Sequence, residues 1–340
     1  MTTRPRLTPA IADVRRAVRS SLADLPQNSR VLVALSGGPD SLALAAGAAF
    51  EAGRAGIRAG AVVVDHGLQE GSADVAAHAA AQALSLGLDP VLVKTVIVGT
   101  DGGPEAAARA ARYAALAEAA AETGAARILL GHTLDDQAET VLLGLARGSG
   151  LGSLKGMAAA SGPYLRPLLG LRRDTTERFC LDSGLTPWTD PQNSDDRFTR
   201  VRVRSTVLPL LERELGPGFA EALARTAALA REDTEALDAF AEEQLEELAE
   251  HAEAGISLPV KALAANPPAL RQRIIRATVQ AEFGVSLSQT HTLEVSRLVT
   301  DWRGQDALHL PGIKVIRQGS LLIFSLAGHD PAARTPTPQE

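Results

Sequence analysis

Four short runs of mostly apolar residues mark the first 130 positions: 31–35 (VLVAL), 61–65 (AVVVD), 91–98 (VLVKTVIV) and 127–130 (RILL). Each is short and most are rich in valine and isoleucine, so each predicts a buried strand. Between them, alanine-rich stretches at 72–86 and 104–123 read as helices. Residues 8–25 predict an amphipathic lead-in helix, and 131–147 another helix after the fourth strand. Apolar strands alternating with helices predict an α/β fold with a doubly wound parallel sheet covered on both faces. Ligands of such sheets sit beyond the carboxyl ends of the strands, near the point where the strand order reverses.

Beyond 147 the pattern loosens. A glycine-rich "RGSGLGSLKGM" gives way to mixed sequence over 161–215, punctuated by Pro163, Pro167, Pro187 and Pro191. Residues 218–254 read as helical and hold eleven acidic and two basic residues. Residues 256–327 hold eight basic and four acidic residues, and predict helices over 269–283 and 288–302 and strands over 314–317 and 321–325. The expected organisation is a catalytic domain over 1–215, an acidic helical linker over 216–255, a small α+β domain over 256–327 and a disordered, proline-rich tail over 328–340.

Composition narrows the class. No apolar run approaches the roughly 20 residues that span a bilayer, and the first twenty residues lack a secretion signal. The single cysteine, Cys180, excludes an internal disulfide and a cysteine-built zinc site. A cytoplasmic protein with no membrane partner is expected. The net charge of −6 is misleading, because the acidic stretch alone carries −9 and leaves +3 for everything else. A polyanion therefore remains a candidate partner, and the acidic stretch could be a solvated spacer or a homodimer surface.

The chemistry begins at "SGGPDS", Ser36 to Ser41, which follows the first strand and opens a helix. A Walker A loop would need GxxxxGK[ST], and that string is absent, as is a GxGxxG dinucleotide loop. Gly37 and Gly38 allow close backbone approach to an anion, and the N–H groups of the helix start make a positive nest. Ser36 and Ser41 offer hydroxyl donors, and Pro39 fixes the backbone entering the helix. Asp40 beside phosphate implies an intervening Mg²⁺, held directly or through water. The hexapeptide resembles the signature of the PP-loop ATP pyrophosphatases, which implies ATP cleaved between its α- and β-phosphates. A lysine guiding γ-phosphoryl transfer is then not needed.

Two further motifs follow strands. "VVVDHGL" puts Asp65 and His66 at a strand end, beside the expected adenosine, although both could simply cap the next helix. "LGHTLDDQAETVLLGLARGSGLGSLKGM" pairs His132 with Asp136, and Asp135 with Glu139, at the i, i+4 helical spacing. Three carboxylates within two turns repel one another unless the helix N-terminus or a cation relieves them.

With these motifs the chain resembles the tRNA(Ile)-lysidine synthase family. Supporting segments are "EAAARAARYAAL" at 105–116, "RPLL" at 166–169 and "WTDPQNSDDRFTRVRVRSTVLPLL" at 188–211. Where the family usually shows Arg-Asn-x-Ile-Arg, this chain has Arg200-Val201-Arg202-Val203-Arg204. The resemblance implies adenylation of the wobble cytidine of a CAU-anticodon tRNA(Ile) at O2, then displacement of AMP by free L-lysine. It implies capture of lysine by Asp136 and Glu139, charge neutralisation at the α-phosphate by Arg112, and phosphate or Mg²⁺ contacts from His132 and Asp135.

Arg147, Lys155, Arg166, Arg197, Arg200, Arg202 and Arg204 are candidate tRNA contacts, each also readable as a solvated charge. "RFTRVRVR" alternates, so a strand projecting its arginines from one face is expected. Arg271, Arg273, Arg276, Lys314 and Arg317 suit the second domain to an RNA stem. Trp188 and Trp302 are readable as base-stacking or packing residues. Rival readings are a tRNA thiolase, which a lone cysteine disfavours, an amidating synthetase, and a non-catalytic nucleotide-binding module.

Overall fold

The computed structural model describes residues 7–67, 71–99, 103–148, 150–190, 195–252 and 255–327. The expected disordered tail and residues 191–194 of the downstream motif lie outside them. The chain divides into two compact units that part between Ala230 and Arg231.

In the first unit, α1 (Pro9–Leu22) precedes β1 (Arg30–Ala34), α2 (Pro39–Arg54), β2 (Arg58–Asp65), α3 (Ser72–Ser85), β3 (Val91–Thr95), α4 (Pro104–Thr123), β4 (Arg127–Leu129) and α5 (Leu134–Ala146). A one-turn α6 (Leu151–Leu154), a small hairpin of β5 (Ala160–Ser161) and β6 (Tyr164–Leu165), and α7 (Arg173–Asp182) follow. The sheet order is β3-β2-β1-β4-β6-β5, parallel except for β5. The order reverses between β1 and β4, so the loops leaving these two strands flank the switch point. Val31, Val33, Ala61 and Val63 face one buried layer with α1 and α2. Leu32, Ala34, Val62 and Ile128 face the other with Leu116 and Ala119 of α4. Alternate residues of one strand thus fill opposite layers, which is why these strands read as unbroken apolar runs.

The segment 199–207 is not the expected strand. It is a helical turn, α8 (Thr199–Arg202), widening into a π-helical turn (Val203–Val207) before α9 (Leu208–Leu215). The alternating arginines suggested a period of two, yet Arg200 and Arg204 also fall at i, i+4. Pro209 supplies no N–H to the carbonyl of Ser205 and crowds it, and the wide turn relieves that conflict. The segment packs Val203 and Leu208 against Leu134 and Ala138 of α5 and against Ala220.

The unit boundary falls inside α10 (Phe219–Leu248), so the acidic helix belongs partly to each unit. In the second unit a five-stranded sheet runs β7-β8-β11-β10-β9, from β7 (Glu250–Ala252), β8 (Gly255–Pro259), β9 (Leu308–Leu310), β10 (Ile313–Gln318) and β11 (Leu321–Leu326), with every pairing antiparallel. Helices α11 (Val260–Ala265), α12 (Pro268–Phe283) and α13 (Gln289–Thr300) pack on it around Ile274, Val295, Val315 and Phe324, joined by Ala241 of α10. The two predicted strands are the β10–β11 hairpin.

Two of this unit's arginines are not at an RNA-facing surface as expected. Arg271 is 8% exposed and donates to Ser296 Oγ and to the carbonyls of Leu263 and Asn266. Arg317 donates to the carbonyls of Leu298 and Val299 at the end of α13. Arg271→Met should therefore destabilise the second unit by about 2–3 kcal/mol, because it strands buried acceptors. Denaturant unfolding measures this, and a variant of unchanged stability would return Arg271 to the surface.

Candidate active site

The loop after β1 is built for close backbone approach. Gly37 has φ +84°, a conformation that side chains resist, and its carbonyl accepts the N–H of Trp188 at 2.9 Å. Gly38 is the residue before α2, and Pro39 occupies its first turn, where the missing N–H costs nothing. Ser41 is turned inward: its hydroxyl accepts the Ser36 N–H at 3.1 Å and donates to the Gly38 carbonyl at 3.0 Å. It braces the loop and shares a hydrogen bond of 3.1 Å with the hydroxyl of Ser36, an exposed residue. A Cβ on Gly131, after β4, would lie 3.1 Å from backbone atoms of Asp40 and Ser41. Glycine there lets the two strand-end loops touch.

On one side the loop opens on a cavity of about 590 Å³, within the range that small ligands occupy. Ser36, Asp65, His66, Arg112, Trp188 and Asp190 line it, with Val62–Val64 and Leu116 as apolar wall. Asp65 turns back to accept the Gly67 N–H at 2.9 Å. Burial, then the nearby Arg112 guanidinium, hold His66 below its ordinary pKa against the pull of Asp65. Its Nδ1 is buried without a partner among the described residues.

On the other side lies a cluster of charges. Thr133 precedes α5, and its N–H reaches Asp136 Oδ2 at 2.8 Å. Asp136 Oδ1 accepts Arg173 Nη2 at 2.8 Å and Arg204 Nη2 at 3.3 Å. Glu139, one turn on, is 0% exposed. Arg204 Nε donates to it at 2.7 Å, with Arg200 at 3.1 Å and Arg173 at 3.6 Å. Arg173 also reaches Asp40 Oδ2 at 3.3 Å, and the buried Thr176 hydroxyl donates to Asp40 Oδ1. Asp135 faces α7, accepting the Arg173 N–H at 2.7 Å and pairing with Arg172 at 3.4 Å.

Burial would raise the Asp136 pKa, but Arg173, the Thr133 N–H, Arg204 and His132 together hold it low. At Asp40 burial dominates, and with the nearby Asp136 it raises the pKa despite Thr176 and Arg173. Burial pushes His132 down to about 4, with Asp136 opposing and Arg112, Arg166 and Arg109 adding to the shift.

The structure thus sorts the expected residues into two groups joined by the loop: Ser36, Asp65, His66 and Arg112 at the cavity, and Asp40, Asp135, Asp136 and Glu139 in the cluster. Among the expected tRNA contacts, Arg147, Arg197 and Arg202 are exposed, with Arg197 paired to Asp195 at 2.6 Å. Lys155 is half-buried. Arg200 and Arg204 are drawn onto Glu139. Arg166 is buried and donates to the Ala158 carbonyl at 2.8 Å, so it presents no surface charge. Arg173 and Thr176 were not expected in the site. The only trace of Arg173 in the sequence is a cation that three nearby carboxylates lacked.

A glycine loop at the switch point of a parallel sheet, with an aspartate at the helix start and no lysine, defines a PP-loop nucleotide site. The model of the PP-loop domain matches residues 11–211, and that of the TilS substrate binding domain matches residues 258–322. A tRNA(Ile)-lysidine synthase of Leifsonia xyli is 65% identical over 88% of this chain and 91% of that one. One of Thermobifida fusca is 54% identical over 90% and 94%. The chain belongs to the tRNA(Ile)-lysidine synthase family, and with it to the ATP-dependent ligases. A solved U34-tRNA thiolase, NcsA of Methanococcus maripaludis with its 4Fe-4S cluster, shares the fold at TM-score 0.55 and 21% identity, over 65% of this chain and 80% of that one. Cys180 of this chain is buried, and burial pushes its thiol up to about 12.

Two outcomes follow. Arg173→Met should lower stability by about 3–5 kcal/mol, because it leaves buried carboxylates without their shared cation; adding Glu139→Gln should recover part of that in denaturant unfolding. His132 titrates lower in the folded chain than its ordinary value of 6.5. Between pH 6.5 and about 4 the unfolded chain binds the proton and the folded chain does not, so stability falls as pH falls. The loss should amount to roughly 2–3 kcal/mol, and His132→Gln should shrink it in pH-dependent thermal melts.

Proposed function

We propose that this chain joins free L-lysine to C2 of the wobble cytidine of a CAU-anticodon tRNA(Ile). The observation that carries the reading is the PP-loop set between a nucleotide-sized cavity and a carboxylate–arginine cluster, in a chain that belongs to this family. Adenosine would occupy the cavity beside Asp65 and His66, and the leaving pyrophosphate would rest on Ser36, Gly37 and Gly38. Cytidine O2 attacks the α-phosphorus and pyrophosphate departs. The uncharged lysine amine then attacks C2, the C2–O bond breaks, AMP leaves with the oxygen, and the amine gives up its proton to a base. Arg112 would neutralise charge on the α-phosphate, and neutral His132 would donate to a phosphate oxygen.

Asp40 suits magnesium, which takes one or two carboxylates alongside substrate phosphates. Asp40, whose ionisation burial disfavours, would gain from a second cation. When bound, the ion would draw charge from the phosphates. Lysine would first be captured as a cation at Asp136, with Glu139 behind it. Hydrogen bonds already engage both Asp136 oxygens, so capture there requires Arg173 or Arg204 to move off, exchanging one cation for another. Arg147, Arg197 and Arg202 on the first unit, with the second unit, would hold the tRNA backbone.

With ATP, Mg²⁺ and an unmodified CAU-anticodon transcript, labelled lysine should enter the RNA as AMP and pyrophosphate appear. Asp40→Asn and Asp136→Asn should each lower this rate at least about 100-fold. Cleavage of ATP without label in the RNA would point to another nucleophile, and no cleavage with any tRNA would overturn the reading.

A further inference from the structure

A second cavity, of about 360 Å³, opens where α1 passes the carboxyl end of α2. The 16 residues of α2 rise about 24 Å, so this cavity lies well away from the PP-loop at the other end of that helix. Its lining includes four arginines, Arg15, Arg16, Arg19 and Arg54, with Phe50 and a single carboxylate, Glu51. That carboxylate is already committed. Glu51 is 1% exposed and accepts Arg19 Nε at 2.8 Å and Nη2 at 2.9 Å. Arg16 leans on Asp13 at 3.3 Å.

Arg15 and Arg54 have no such partner. Both lie over the Phe50 ring, their guanidinium carbons 3.5 Å and 4.8 Å from its centroid. Neither makes a hydrogen bond or ion pair with any described residue, and Arg15 Nε is buried without an acceptor. The ring holds each guanidinium by its face and leaves N–H edges free. A helix C-terminus favours one cation in its last turn, which accounts for Arg54 alone. It does not account for a second guanidinium, Arg15, held on the same ring. Arg15, Arg19 and Arg54 face the one carboxylate Glu51, which also attracts Arg15; that surplus of positive charge suits an anion with several acceptor oxygens, and guanidinium forks match phosphate in this way.

We propose that the Arg15–Phe50–Arg54 cavity binds a phosphate group, carried by the RNA backbone or by a small soluble phosphate. The RNA source rests on the tRNA reading above; the soluble source does not.

The test uses the full chain and the Arg15→Gln/Arg54→Gln double variant, with thermal melting to confirm folding. Inorganic phosphate is titrated while the arginine Nε–Hε NMR signals are followed. Binding of the tRNA transcript is measured across salt concentrations. Arg178→Gln/Arg213→Gln, at exposed arginines elsewhere in the same unit, is the control for loss of charge alone. If the phosphate is on RNA, the double variant lowers the slope of log affinity against log salt by about 1 to 2, more than the control does, while the KM values for ATP and lysine stay unchanged. A saturable phosphate-induced shift of the Arg15 and Arg54 signals, with those of Arg178 and Arg213 unmoved and a salt slope equal to the control's, assigns a soluble phosphate. No shift together with a slope equal to the control's overturns the proposal. If the unsubstituted chain binds no tRNA, the tRNA reading fails while the phosphate titration still decides the cavity.

Discussion

A carboxylate sealed from water is the constraint on which the site rests. Glu139 is wholly buried, and an ionised carboxylate there is tolerable only with cations packed against it. The three that answer come from different parts of the chain: Arg173 from the start of α7, Arg200 from α8, and Arg204 from the π-helical turn. Each must bring its backbone within reach. The position of α5 therefore fixes two segments that no sheet hydrogen bond holds. Arg173 extends the same constraint to the loop, since it touches Asp40 as well as Asp136. Loop, α5, α7 and the 199–207 segment behave as one electrostatic unit.

Stability alone does not explain such a network. An apolar cluster of the same volume would hold these segments about as well, without the desolvation of several charges. What the network supplies is three arginines shared among Asp40, Asp136 and Glu139. On the proposed reading, in which a nucleotide and a cationic amino acid enter in turn, charges of both signs are needed at this place.

Much of this was legible in the sequence, and the failures share a cause. β1 and β2 were readable because both their faces are largely buried, so apolar runs carry the signal without periodicity. The loop was readable because few residue strings suit a close approach to phosphate. Local spacing also brought His132, Asp135, Asp136 and Glu139 together. Arg173 was missed because its role depends on a contact 133 residues away, at Asp40. Arg166 and Arg271 were misread because a count of basic residues does not tell a surface cation from one that satisfies buried carbonyls. The 199–207 segment was misread because Arg-Val-Arg-Val-Arg satisfies both periods, and tertiary packing against α5 chose the helical one.

The two sides of the loop solve opposite electrostatic problems. In the cavity, Arg112 is the positive charge, and burial, then this guanidinium, lower the pKa of His66 against the pull of Asp65. His66 adds a hydrogen-bonding group there. A single arginine beside apolar walls leaves a cavity of about 590 Å³ open. The cluster across the loop holds dense charge of both signs instead. One loop therefore adjoins a site shaped chiefly by volume and another shaped chiefly by charge, and Gly37, Gly38 and Gly131 let these two come together at the ends of β1 and β4.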